Sequence, residues 1–271
     1  LATVRAALDS PIDYLDTAAS YGDGESERRV GIVLRERGGV PAGAVLQSKI
    51  GREPGGPYDG DSTKRRLERS LELLGVDRLE IVFLHDPEAI GFEAAMAPGG
   101  PVETLERYRD EGVIRHLGVA GGPIDLMTRF VETDRFAAVI THNRYTLLNR
   151  IADPLLTLGH VKGIAVLNAA PYGSGILAKG PAAYPRYAYQ DAEGEVVSRA
   201  REIAAICDRH GVPLAAASLQ FSLRDPRITV TIVGMSKPQR IEETLALARH
   251  PIPDALWDEL AEVPFDMTEP Q

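Results

Sequence analysis

Residues 12–24 read IDYLDTAASYGDG, and how this stretch is parsed decides the fold. Ile12, Tyr14 and Leu15 form a short apolar run of the kind a buried strand makes, and the run stops at Asp16. A turn-rich segment then carries Tyr21. In a β/α barrel, Asp16 sits at the carboxyl end of a strand and Tyr21 on the loop above it, the face on which such barrels keep their chemistry. Two later stretches end the same way. AVLQSKI (44–50) brings Lys49 to a strand end, and LEIVFLHD (79–86) brings His85. An aspartate, a tyrosine, a lysine and a histidine converging at one mouth make a proton-transfer set.

Outward from that stretch, strand and helix alternate almost without a break. Strands are expected at residues 12–16, 44–50, 79–85, 114–120, 137–141, 163–167 and 230–233. Helices are expected between them. One spans 62–74, with Leu67, Leu71 and Leu74 in register, Asp61 or Ser62 as its N-cap and Gly75 at its end. Regular alternation of this kind indicates a parallel sheet. The seven strands begin one helix late, after LATVRAAL (1–8), and the chain starts without Met. The reading is therefore a single α/β domain over residues 1–271, a (β/α)8 TIM barrel whose first strand is missing upstream of Leu1. A doubly wound open sheet is the runner-up; it calls for a GxGxxG turn after its first strand, and none is there. The segment 171–194 is longer than most loops and rich in Gly, Pro, Ala and Tyr, the pattern of a lid or binding loop.

Composition narrows the function classes. Of 271 residues, 44% are apolar and 25% charged, as in ordinary globular proteins. The net charge of −9 argues against an electrostatic grip on nucleic acid or an acidic membrane. No apolar run nears the roughly 20 residues of a membrane helix, and no signal peptide is visible. The single cysteine, Cys207, excludes an intrachain disulfide and a Cys₂His₂ zinc site, and suits a cytoplasmic protein. It shares a helix face with Val196, Ala200, Ile203 and Ala204, which reads as core. A metal-dependent barrel hydrolase needs several His and carboxylates at strand ends, and only His85 and Asp16 are so placed, so no metal is expected.

DTAASYGDGESE (16–27), QSKIG (47–51), LERSLELLGVDRLEIVFLHDP (67–87) and VGMSKPQRIEET (233–244) together resemble the aldo-keto reductase superfamily in order and spacing. RYTLLNR (144–150), PYGSGILAKG (171–180) and PDALWDEL (253–260) are similar to the bacterial aldose dehydrogenases, such as those for L-fucose and D-threo-aldose, which have a pyridoxal dehydrogenase among their relatives. The resemblance implies that Tyr21 is the general acid/base, supported by Lys49 and Asp16, and that His85 orients the carbonyl. It implies NADP or NAD as cofactor and a sugar, alcohol or aldehyde as substrate; Tyr58 and the tyrosine-rich 184–189 loop are expected to grip part of that substrate. Oxidation of an aldose at C1 to a lactone is the leading expectation. An aldehyde, ketone or pyridoxal-type reaction, or a non-catalytic nucleotide-sensing barrel, is the alternative.

The cofactor segments implied by the resemblance are two. Tyr172, Gly173, Ser174, Gly175 and Leu177 form a glycine-rich turn where backbone amides would approach a pyrophosphate. Gly234, Ser236, Lys237, Gln239, Arg240 and Glu243 lie around a helix start that would face the adenosine ribose. Lys237 and Arg240 suit a 2′-phosphate, yet aldose dehydrogenases commonly use NAD, so the nucleotide stays open. The family's Ser-Asn pair at the nicotinamide is replaced here by Ala120-Gly121-Gly122, and its glutamine by His142. His142 and Asn143 are the candidates for gripping the amide.

Overall fold

A computed structural model describes residues 1–270. They fall into two compact units, one of residues 1–140 with 235–241, the other of 141–234 with 242 onward. The first unit is a run of parallel strands in sequence order: β1 (Tyr14–Asp16), β2 (Val45–Ile50), β3 (Leu79–His85), β4 (Ile114–Ala120) and the start of β5 (Ala138–His142). In this register Asp16 lies beside Gln47, Lys49 beside Phe83, and His85 beside Ala120. The carboxyl ends of β1, β2 and β3 thus carry the polar residues that the sequence set apart.

β3 is buried over most of its length because LEIVFLH is apolar on both faces, as a strand covered on both sides must be. Phe83 is fully buried against Gly118 of β4, where a Cβ would come within 2.4 Å of the ring. The helix after β2 runs Gly60–Leu74 and ends at Gly75 with φ of 69°. Its cap is Asp59 rather than Asp61 or Ser62. The Asp59 carboxylate accepts from the Ser62 N–H (2.9 Å) and the Asp59 N–H donates to the Ser62 hydroxyl (3.0 Å), a reciprocal box that needs Ser62 inside the first turn. The helix Glu25–Arg37 crosses it at Gly31, whose Cβ position lies 2.1 Å from the Leu73 carbonyl oxygen, so only glycine lets the two backbones meet.

In the second unit β6 (Ala165–Ala169) pairs in parallel with β9 (Val230–Ile232). β6 begins two residues after its expected start because Gly163, at φ 68°, still belongs to the end of the helix Asp153–Lys162. The 171–194 segment is more ordered than a loop. It holds a 3-10 turn (Gly173–Gly175), a short helix (Ile176–Lys179) and an antiparallel hairpin of β7 (Arg186–Tyr187) and β8 (Gln190–Asp191). Two-residue strands leave no period for a sequence reading to find. Helices Gly194–Arg209, Leu214–Leu223 and Asp254–Ala261 enclose a core that includes Leu177, Ile203, Cys207, Ala217 and Leu256. Cys207 is in that core as expected, and burial pushes its thiol up to about 11. The helix face is rotated slightly, with Val197 and Ile206 fully in the core and Val196 and Ala204 only partly buried. Among the described residues no helix is long and apolar enough to cross a membrane.

Candidate active site

Tyr21 is delivered to the carboxyl end of β2 by the loop that follows β1. Gly22, Asp23 and Gly24 all have left-handed backbone (φ 60°, 52° and 85°), which folds the chain back sharply. The Ala19 N–H donates to the Lys49 carbonyl (3.0 Å) and the Ser26 N–H to the Tyr21 carbonyl (3.2 Å), tying the loop to the strand below and the helix after it. Tyr21 itself is 42% exposed.

Lys49 is the centre of the cluster. Its side chain is only 4% exposed, and its ammonium donates to Asp16 Oδ2 (2.8 Å), Tyr21 Oη (3.0 Å) and the Thr17 carbonyl (3.1 Å). An ammonium has three hydrogens, and these three acceptors match them. Burial pushes the Asp16 carboxyl above its ordinary range, while the Lys49 charge pulls it back down. His85 closes the group, with its ring edge-on to Tyr21 at a centroid distance of 6.1 Å. The structure therefore brings Asp16, Tyr21, Lys49 and His85 together within the first unit.

Gln47 belongs to the same cluster and was not foreseen. It is fully buried, and its amide donates to Asp16 Oδ1. The signal was present in the strand pattern. Side chains two apart share a face, so once Lys49 points at Asp16, Gln47 does too. Outward-facing Ser48 instead donates to buried Glu27 (2.5 Å), and burial raises that carboxyl. Replacing Gln47 with leucine is expected to cost about 1.5–3 kcal/mol, the worth of a hydrogen bond to a buried charge. Urea unfolding of the two proteins checks it.

Tyr58, expected to help grip a substrate, is engaged by the strand ends. It is buried, and its hydroxyl lies 2.8 Å from the His85 carbonyl and 3.1 Å from that of Ile50, so it pins the ends of β2 and β3 together. The tyrosines of the 184–189 segment divide. The rings of Tyr187 and Tyr184 lie over Gly173 and Gly175, where a Cβ would approach to 3.0 and 2.8 Å. Those glycines are thus required by ring packing, whatever else they allow. Tyr189 is the open one, at 64% exposure.

In the second unit, Ser174 donates to Asn143 Oδ1 (3.1 Å) and accepts from the Tyr189 N–H (3.1 Å), and Tyr187 donates to the Asn143 carbonyl (2.9 Å). The His142 ring lies 6.2 Å from that of Tyr189. Asn143 Nδ2 is buried, with no acceptor among the described residues, although an amide so placed ordinarily has one. Leu177 is packed in the core, and its N–H, like that of Gly175, donates to the Tyr172 carbonyl. Gly234, Ser236, Lys237, Gln239, Arg240 and Glu243 are exposed, near the start of the helix Gln239–Arg249. Within the first unit, the Ser236 carbonyl accepts from Thr3 (3.4 Å).

Comparison with known proteins places this geometry. Residues 1–264 match the Aldo/keto reductase family. A D-threo-aldose 1-dehydrogenase from a Pseudomonas species is 34% identical over 96% of this chain and 86% of its own. The pyridoxal 4-dehydrogenase of Microbacterium luteolum is 27% identical, again over 96% and 86%. Among solved structures, the holo form of an aldo-keto reductase from Bacillus halodurans aligns with a TM-score of 0.79 at 19% identity, over 98% of this chain and 87% of that one, which shows the fold. The chain belongs to the aldo/keto reductase family, and it is an oxidoreductase built on that family's (β/α)8 barrel.

Proposed function

We propose that this enzyme oxidises an aldose at C1 to the lactone, with NADP or NAD as hydride acceptor and Tyr21 as the group that takes the hydroxyl proton. The observation that carries the reading is the buried Lys49 ammonium 3.0 Å from Tyr21 Oη. An ordinary phenol, with a pKa of about 10, is a poor base at neutral pH. An adjacent cation favours the phenolate. Asp16 keeps that cation charged and aimed, and His85 beside Tyr21 can hydrogen-bond the reacting oxygen and stabilise charge on it. When bound, the nicotinamide supplies the hydride chemistry that no side chain can.

The residues present suit such a cofactor. Asn143 Nδ2 is a buried donor in want of an acceptor, which an amide or phosphoryl oxygen would provide. Lys237 and Arg240, exposed near the start of a helix, suit a 2′-phosphate. The likeness to an aldose dehydrogenase favours the sugar, and the likeness to a pyridoxal dehydrogenase supports an aldehyde or alcohol of another kind as the second reading. A barrel that only senses nucleotide has no use for a buried Lys–Asp pair aimed at a tyrosine hydroxyl.

A panel of aldoses, pyridoxal and simple aldehydes, each with NAD and NADP, tests the reading. Lactone formation from an aldose is the expected result, and turnover confined to pyridoxal or simple aldehydes overturns the sugar assignment. Intrinsic fluorescence titration with NADH and NADPH decides the nucleotide. If NADPH binds more than about tenfold tighter, Lys237→Ala with Arg240→Ala should remove most of that preference, since each good phosphate contact by a cation is worth about 1.5–3 kcal/mol.

A further inference from the structure

Asp86 follows His85 directly, and in an extended strand consecutive side chains point to opposite faces. Here they meet. His85 Nε2 lies 3.5 Å from Asp86 Oδ1. The reason is the backbone at Asp86, which is left-handed at φ 48° and ψ 52°. That conformation is held by the Asp86 N–H donating to the Ala120 carbonyl (2.8 Å) and the Ala89 N–H to the Asp86 carbonyl (3.1 Å). For a residue other than glycine this conformation is disfavoured. Capping does not account for the carboxylate, because it makes no hydrogen bond to the 3-10 turn Pro87–Ala89 that it precedes. The two side chains also differ in access to water: that of His85 is 13% exposed and that of Asp86 57%.

We infer that Asp86 is the solvent-facing end of a proton path that starts at His85, carrying the hydroxyl proton of the reaction between the active site and water. This rests on the proposed roles of Tyr21 and His85. In the oxidising direction, the substrate O–H bond breaks as an O–H bond forms at Tyr21. That bond breaks as an N–H bond forms at His85 Nδ1, and the phenolate returns. The N–H bond at His85 Nε2 breaks as an O–H bond forms at Asp86 Oδ1, leaving a neutral imidazole whose ring turns over before the next cycle. The Asp86 O–H bond then breaks to a water or buffer base, and the carboxylate returns. No atom changes oxidation state in any of these transfers, and reduction runs the path backwards.

The groups facing Asp86 are Lys49 from β2, His85 from β3, the Tyr58 hydroxyl from the loop after β2, and Glu88 from the turn. Glu88 is itself fixed, its carboxylate accepting from the Gly122 N–H (3.0 Å). Partial enclosure and Glu88 push the Asp86 carboxyl up, to about 6, against the pull of Lys49. A carboxyl near that value can both take up a proton and release it to water close to neutral pH.

Asp86→Asn, assayed in the oxidising direction from pH 5 to 9, tests the path. The wild type should show kcat rising with pH through about 6. The variant should lose that limb and at least fivefold in kcat at pH 7.5, with substrate KM and nucleotide Kd within twofold. Imidazole added as a small base should restore much of the loss in a concentration-dependent way, and Asp86→Glu should keep most of the activity. An unchanged pH profile with kcat within twofold overturns the inference. So does a loss that imidazole does not relieve and that appears mainly in KM, since that is a binding or structural effect. Should Asp86→Asn fold poorly, the buffer dependence of kcat in Asp86→Glu and wild type gives the same decision. If Tyr21→Phe keeps its turnover, the parent reading fails and this one with it. If Tyr21→Phe is inactive and the Asp86→Asn profile is unchanged, this inference alone fails.

Discussion

Replacing Tyr21 with phenylalanine is expected to lower kcat by about 10²–10⁴-fold, the usual worth of a positioned general acid or base. Nucleotide affinity should stay within twofold. The substitution removes one oxygen and little else. The Tyr21 ring lies edge-on to His85 and beneath the Lys49 ammonium, which is 4.5 Å from its centroid, and phenylalanine keeps both contacts. The loop is held by backbone hydrogen bonds at Ala19 and Ser26 that do not involve the hydroxyl. What is lost is the acceptor of one of the three Lys49 hydrogens and, with it, the atom proposed to exchange a proton with substrate. Steady-state rates on the best substrate, beside fluorescence titration of the nucleotide, separate these effects. Near-full activity would remove Tyr21 from the chemistry and leave Lys49 as a structural ion pair.

Much of this site was legible because strand ends are legible. LEIVFLH can only be a strand buried on both faces, and its last residue must then stand at a mouth. The same logic placed Asp16 and Lys49, and an unpaired lysine closing an apolar strand already asks for a buried partner. The remainder depended on contacts that no local pattern encodes. Tyr58, Tyr184 and Tyr187 read as substrate-gripping tyrosines by type alone, but their positions are set by carbonyls and glycines distant in sequence. Gln47 lay within reach, since the two-residue period that oriented Lys49 also oriented it. The meeting of His85 with Asp86 turns on the φ of a single residue and contradicts the alternation rule, so a sequence reading that obeyed the rule could only take Asp86 for a turn former.

Lys49→Met should be both inactive and unstable, and its instability should depend on pH. Removing the ammonium leaves the largely enclosed Asp16 carboxylate without its countercharge, still accepting from the Gln47 amide. Breaking a buried ion pair by deleting one partner costs about 3–5 kcal/mol. Burial already pushes the Asp16 carboxyl upward in the intact protein, and loss of Lys49 removes the charge that opposes the rise. The folded variant therefore binds its proton more tightly than the unfolded chain, whose aspartate titrates near the ordinary value of about 3.9. Above that value the folded state holds the extra proton, so stability falls as pH rises until the raised folded pKa is passed, and then levels off. Urea unfolding at pH 5 and pH 8 should show Lys49→Met closer to wild type at the lower pH. Asp16→Asn combined with Lys49→Met should recover stability relative to Lys49→Met alone, because no charge is then left buried, yet it should stay inactive because nothing favours the Tyr21 phenolate. Equal destabilisation at the two pH values would show that Asp16 reaches water when its partner is gone, and the cluster would then be a surface pair rather than the enclosed one its 4% and 16% side-chain exposures describe.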